Sequence, residues 1–404
     1  MRKQTKLVAV LSAAALLAMG ASMTSFAAGW EKDDAGVWHY YDSDDEMVTD
    51  EWKKDGGKWF HLDEDGEMET DTWVDDDYYV AEDGHMLTNE WKKTVSDDDQ
   101  DDPDEDGESW YYFGSKGKKT TSDDKKINGK TYFFDEDGKM QYGWYADSNN
   151  NVYYLGEEDD GARTNSSWLW LAAPDSEDDD EKDAADAVSH DSQNDDDPCD
   201  EEGWYWFGSD GKMYKDAKHK KINGKYYYFN NHGQMLYEWI NGVKANVASN
   251  AKLDSDSIEA TASEVRYMNV VEEGWRADGW YQIDGAWYFM NADGSLKQNE
   301  SFLYDNNLYF VNKSGKMYQN QWLKWDGNYY YLRSWGGAAH EGWLLLQNKY
   351  YYINEDCTRK TDEAFAYDNN LYFVDENGVM PANQWVIRDG VWYFTYSWGG
   401  ARKS

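Results

Sequence analysis

The sequence predicts an all-β fold, a solenoid of stacked two-stranded β-hairpin repeats of about 21 residues. Three observations predict it: a fixed period of aromatic residues, a tight-turn dipeptide within each period, and strand runs free of proline. Trp280, Phe302, Trp322, Trp343, Phe365 and Trp385 follow one another at this near-constant interval. Seven positions after each stands a second ring: Trp287, Tyr309, Tyr329, Tyr350, Tyr372 and Trp392. Self-similarity at such a period marks an array in which each repeat contacts mainly its neighbours.

The elements follow in order within each period. The first ring opens a strand, which ends at Gly56-Gly57, Asn128-Gly129, Asn223-Gly224, Asp284-Gly285, Asp326-Gly327 or Asp389-Gly390. Asn-Gly and Asp-Gly between β-forming runs predict a hairpin, because both turn positions need positive φ. The second strand is a run of rings such as Trp392-Tyr393-Phe394, whose alternate side chains face opposite ways. A second turn closes the repeat, as in Asp135-Glu136-Asp137-Gly138 or Asn312-Lys313-Ser314-Gly315. The chain has four prolines, none within an aromatic run, which agrees with strands throughout. One hairpin of this size buries neither face; the next hairpin must cover it. A larger duplication sits on top: Phe302–Ala338 and Phe365–Ala401 match at an offset of three whole repeats.

Composition sets the kind of core. With 23 Trp, 33 Tyr and 13 Phe in 404 residues, the core is expected to be built largely from rings. The formal net charge of −41 lacks the basic footprint of a nucleic-acid binder and leaves cationic or neutral ligands admissible. At the N-terminus, Arg2, Lys3 and Lys6 precede an apolar run, Leu7–Met19, and then Ser25-Phe26-Ala27. This reads as a signal peptide over 1–27 cleaved after Ala27, hence a secreted protein. An uncleaved anchor is disfavoured, because the run is shorter than the ~20 residues of a membrane span. Two cysteines, Cys199 and Cys357, exclude a disulfide framework and are expected to be free thiols.

Repeats are expected over 28–94, 109–173, 203–242 and 273–404. The intervening 95–108 and 174–202 carry runs such as Asp97-Asp98-Asp99 and Asp178-Asp179-Asp180-Glu181. Low hydrophobicity and high charge predict that both are disordered and dispensable. The third insertion, 243–272, is less acidic, and the sequence leaves it open between an extended hairpin and a short helix.

Phrases such as Gly279-Trp280-Tyr281-Gln282-Ile283-Asp284-Gly285-Ala286-Trp287-Tyr288-Phe289, followed elsewhere by Gly-x-Met, resemble the choline-binding, cell-wall-binding repeats of Gram-positive surface proteins. Ile-Asn-Gly-Lys-x-Tyr-Tyr phrases are similar to streptococcal glucan-binding repeats and clostridial toxin arrays. The resemblance implies ligand sites between consecutive repeats, where aromatic rings, often with a Met, cage a quaternary ammonium group. Carried onto this chain, it implies cages of Trp30, Trp38 and Met47 with Trp52; of Trp52, Trp59 and Met68 with Trp73; and of Trp322 and Tyr329 with Trp343. It also implies the pair Trp280 and Trp287. Trp385 and Trp392 are expected to form a terminal cap or a homodimer face. Phe302 and Phe365 stand for the first Trp, and Leu296 for the loop Met, which leaves the hairpin intact but weakens the case for choline there. Any single ring or Met at this period has a packing explanation as well.

Catalytic and metal motifs are absent: there is no His-Glu-x-x-His, Gly-x-Ser-x-Gly, paired-Cys site or phosphate loop. Asp102, Asp104, Asp106 and Gly107 approach a calcium loop, but its twelfth position is Phe113 rather than Glu. No cofactor, metal or enzymatic activity is expected. Two functions remain: a secreted, non-catalytic protein attached to choline-decorated cell-wall polymer, or a glucan-binding adhesin or receptor-binding array.

Overall fold

The computed structural model describes residues 29–97, 107–191, 200–241 and 265–403. The expected signal peptide, Cys199 and most of the insertions 95–108 and 243–272 lie outside the described residues. Those described hold 31 strands and one helix. No helix among them is long and apolar enough to cross a membrane.

Consecutive strands pair antiparallel into thirteen two-stranded sheets and one of five strands. The hairpin turns have the predicted chemistry: φ is +49° and +79° at Asp284-Gly285, and +46° and +80° at Asp326-Gly327. Asp305-Asn306 and Gln347-Asn348 adopt the same two left-handed positions without glycine. The second turn is held by its first residue. Asp63 Oδ1 accepts the backbone N–H groups of Asp65 and Glu67, and Asn312 Oδ1 those of Ser314 and Lys316. This explains why Asp or Asn opens that turn.

Within each unit, two contacts recur between successive hairpins. The first is a ring pair: Trp73–Tyr111, Trp91–Tyr132, Trp144–Tyr205, Trp280–Tyr309, Trp322–Tyr351 and Trp343–Tyr372 all lie 4.8–5.0 Å between centroids. Such a pair contributes about 0.5–1.5 kcal/mol beyond its buried area. The second is a backbone bond. The residue two after the turn glycine donates its N–H to the second strand of the preceding hairpin: Met68 to Trp38, Met86 to Trp59, Met140 to Trp110, Met317 to Trp287 and Met380 to Tyr350, each at 2.8 Å. The Met side chain then runs over the turn glycine of the following repeat. At Gly336, where φ is +93°, a Cβ would collide with the Met317 sulfur, so glycine is required twice over.

The described residues form two compact units, one up to 216 with 231–235, the other 217–230 with 236–403. The first runs from the hairpin Trp30–Lys32/Trp38–Tyr40 to Ser167–Ala172/Glu202–Phe207, with cores such as Trp73, Tyr79, Leu87, Tyr111 and Phe113. The second runs from Ala217–Ile222/Lys225–Phe229 to Gln384–Arg388/Val391–Thr395. Its last two hairpins are joined through Ala401–Lys403 into the five-stranded sheet.

Register corrects one reading of the period. Trp280, Ser301, Trp322, Trp343, Ala364 and Trp385 hold the same strand position, opposite Phe289, Phe310, Tyr331, Tyr352, Phe373 and Phe394. Their spacing does not vary from one repeat to the next. Phe302 and Phe365 therefore do not stand for the first Trp. Each lies one position later, and a one-residue shift places a side chain on the opposite face.

The insertions have a common place. Those near 95–108, 174–202 and 243–272 each replace a hairpin turn, and the flanking strands Glu90–Thr94/Ser109–Phe113, Ser167–Ala172/Glu202–Phe207 and Trp239–Asn241/Val265–Tyr267 still pair. The expectation of disorder over 174–202 is overturned for its described part. Lys182–Val188 is a helix whose Ala184, Ala185 and Val188 are buried. Ala184 and Val188 pack with Trp144, Val152, Tyr205, Phe207 and Met213. Residues four apart share a helix face, so three small apolar residues suffice in a segment whose mean composition is acidic.

Candidate functional site

The stacking geometry leaves ring-walled seats between hairpins. In the hairpin Gly279–Ile283/Ala286–Met290, Trp280 and Trp287 stand edge to face at 6.5 Å and 82°. The next hairpin supplies Tyr309 at 4.9 Å from Trp280 and Tyr304 at 6.4 Å. Met317 is tied by its backbone to the Trp287 carbonyl. The same arrangement recurs three repeats later: Trp343 meets Tyr350 at 6.4 Å, Tyr372 at 4.9 Å and Tyr367 at 6.3 Å, with Met380 bonded to Tyr350. A third seat, in the first unit, has Trp91 and Trp110 at 6.4 Å, Tyr132 at 4.9 Å from Trp91, and Met140.

The first two seats are open. Trp287 is 36% exposed, Tyr304 44%, Tyr350 42% and Tyr367 40%. Burial, and then nearby acidic groups, push the Tyr309 and Tyr372 phenols above their ordinary value, so they stay neutral. Neutral rings set at 58–82° to Trp280 present electron-rich faces. This suits a cation that cannot donate a hydrogen bond.

The structure redistributes the residues expected from sequence. Trp30, Met68 and Trp73 are buried, at 8%, 8% and 4% exposure. Trp30 packs edge-on against Tyr40 and Phe60, and Trp73 against Tyr79 and Tyr111. Trp30 and Trp73, expected as cage walls, thus pack in the core. Trp52 packs on His61 and Tyr78, not on Trp59 or Trp73. Trp38 and Trp59 carry the ammonium groups of Lys32 and Lys54 at 5.4 and 5.5 Å. Met47, 43% exposed, lies over Gly66 of the next turn. The Met bonded to each second-strand ring comes from one repeat downstream of the expected one: Met68 serves Trp38 and Met86 serves Trp59. Trp280 and Trp287 do come together. Trp322 and Tyr329 come together as well, but around Arg359, while Trp343 belongs to the following seat.

Sequence reasoning missed Trp91, Trp110, Met140, Tyr304, Met317, Tyr367 and Met380. In the Trp91 seat the acidic insertion falls between the two rings and pushes Trp110 far beyond the usual seven positions. Counting strand positions instead of rings recovers it. Among the described residues no group of three or more His, Cys, Asp or Glu could hold a metal ion. Cys357 is a buried free thiol, as expected, and burial raises its pKa.

Comparison with known proteins finds repeats of one kind along the chain. A choline-binding repeat model matches residues 121–168, a second matches 46–85 and 67–94, and a cell wall binding repeat model matches 28–44, 105–119, 199–213, 220–235, 278–296 and 320–338. No curated protein matches the chain. Among solved structures, choline-binding protein F from Streptococcus pneumoniae, in the presence of a peptidoglycan analogue, is 23% identical, with 70% of this chain and 94% of that one covered and a TM-score of 0.44. The modular autolysin LytC of the same organism is 18% identical over 82% of this chain, with a TM-score of 0.32; the match spans 52% of LytC. The choline-binding domain of its CbpL is 21% identical, with 73% and 100% covered and a TM-score of 0.26.

Proposed function

This chain belongs to the choline-binding, cell-wall-binding repeat family, and from that premise we propose that it is secreted and attaches noncovalently to choline-bearing cell-surface polymer. Its seats lie between consecutive hairpins, and it acts by binding, without a reaction of its own. The observation that carries this reading is the Trp280–Trp287 pair at 6.5 Å, walled by Tyr309 and open to solvent. A trimethylammonium group is attracted to each ring face, at about 0.5–2 kcal/mol per good contact. The formal charge of −41 favours the cation over the anionic polymer that bears it. Several seats on one chain, meeting many choline groups on one polymer, raise avidity well above the affinity of a single seat. Self-association through the exposed Trp385 and Trp392 belongs to the same reading, and sedimentation of the native chain against a Trp392→Arg variant tests it.

The direct experiment is retention on a choline-bearing support. Elution by free choline at constant ionic strength is expected. Elution by soluble glucan but not by choline would replace this reading with carbohydrate adhesion.

A further inference from the structure

The loop position held by Met317 and Met380 is held by Arg359 in a repeat between them. Its backbone makes the equivalent bond, N–H to the Tyr329 carbonyl at 2.8 Å. Its side chain takes the same path, over Gly378 as Met380 runs over Gly399. The guanidinium then lies over three rings, with its carbon 4.3 Å from the Tyr329 centroid, 4.9 Å from Trp322 and 6.0 Å from Tyr351. Its buried Nε has no hydrogen-bond partner, so ring faces dominate its surroundings. Trp322, Tyr329 and Tyr351 hold the strand positions of Trp280, Trp287 and Tyr309 in the open seat.

Resting on the choline reading above, we propose that Arg359 is a built-in ligand. It fills the seat of Trp322 and Tyr329 with the protein's own cation, so the residue at this loop position decides whether a repeat takes choline. A guanidinium is planar, permanently charged and weakly hydrated, which suits it to stacking on aromatic faces. Being tethered, it competes at the effective concentration of an intramolecular group, on the order of millimolar or more. A second arginine takes the same path. Arg276 holds the same loop position, bonds its N–H to the Tyr226 carbonyl and places its guanidinium 4.6 Å from the Tyr226 ring. The array therefore mixes seats lined by Met with one that Arg359 occupies.

The test is Arg359→Met in the full chain, with Arg359→Lys, which keeps an internal cation, as control. Choline titration by calorimetry is expected to show one more choline bound per chain in Arg359→Met and no gain in Arg359→Lys. An unchanged stoichiometry in a folded Arg359→Met that binds choline elsewhere overturns the proposal. A native chain that takes no choline anywhere overturns the reading on which it rests. In that case the Arg359 side-chain Nε–H resonance decides seat occupancy by itself. An upfield ring shift abolished by Trp322→Ala supports a filled seat, and an unshifted resonance refutes it.

Discussion

Replacing Trp287 by alanine separates ligand contact from core packing. The ring is 36% exposed and meets Trp280 across the seat. The bond that stacks the next hairpin uses the Trp287 carbonyl, which alanine keeps. The variant therefore loses one of the seat's ring walls and no backbone stitch. At the scale of one good cation–π contact, this removes about 1–2 kcal/mol of binding, or roughly 5–30-fold in affinity at that seat. At choline concentrations that saturate the other seats, calorimetry is expected to count one choline fewer per chain. The thermal midpoint should fall less than in Tyr309→Ala, which removes a ring only 9% exposed and packed 4.9 Å from Trp280. A buried ring lost to alanine costs about 3–5 kcal/mol. An unchanged choline isotherm in Trp287→Ala, together with melting as severe as that of Tyr309→Ala, would make Trp287 a core residue and refute the seat.

Further outcomes follow from the stacking. Gly336→Ala places a Cβ against the Met317 sulfur at a φ of +93°. A loss of about 1–3 kcal/mol is expected in urea unfolding, partly relieved by adding Met317→Ala. Val188→Asp puts a charge where the side chain is 2% exposed, beside the Trp144 core. It should lower the stability of the first unit by several-fold more than Asp183→Ala, as read by thermal unfolding. Equal, negligible effects would restore the view of the segment as dispensable. Burial, followed by Asp147 and Glu157, pushes the Tyr153 and Tyr154 phenols from 10.0 up to about 12. Their folded values are raised, so their contribution to stability is complete below pH 10.0 and is lost as pH rises towards about 12. Alkaline unfolding followed by tyrosinate absorbance should therefore begin at higher pH in Tyr153→Phe and Tyr154→Phe.

The repeating unit is legible in the residues alone. Ring period, turn dipeptides and proline avoidance are local signals, because the hairpin is made within each repeat and its turns depend on φ preferences of single residues such as Gly285 and Asn128. The ring-rich composition also makes packing and π-contact the expected chemistry of the array. Which rings remain available is set by packing between repeats. Whether a ring is wall or core depends on packing that exists only in the folded array, where Trp73 is buried against Tyr79 and Tyr111 while Trp287 stays 36% exposed. The downstream pairing of Met86 with Trp59 and of Arg359 with Tyr329 comes from the inter-repeat backbone bond, and a period cannot reveal a shift by one whole repeat. The displacement of Phe302 to the opposite face came from strand register, where a single residue reverses the side chain's direction. The helix at Lys182–Val188 escaped composition because its stability lies in three buried side chains meeting a distant core, a contact that exists only after the chain has folded.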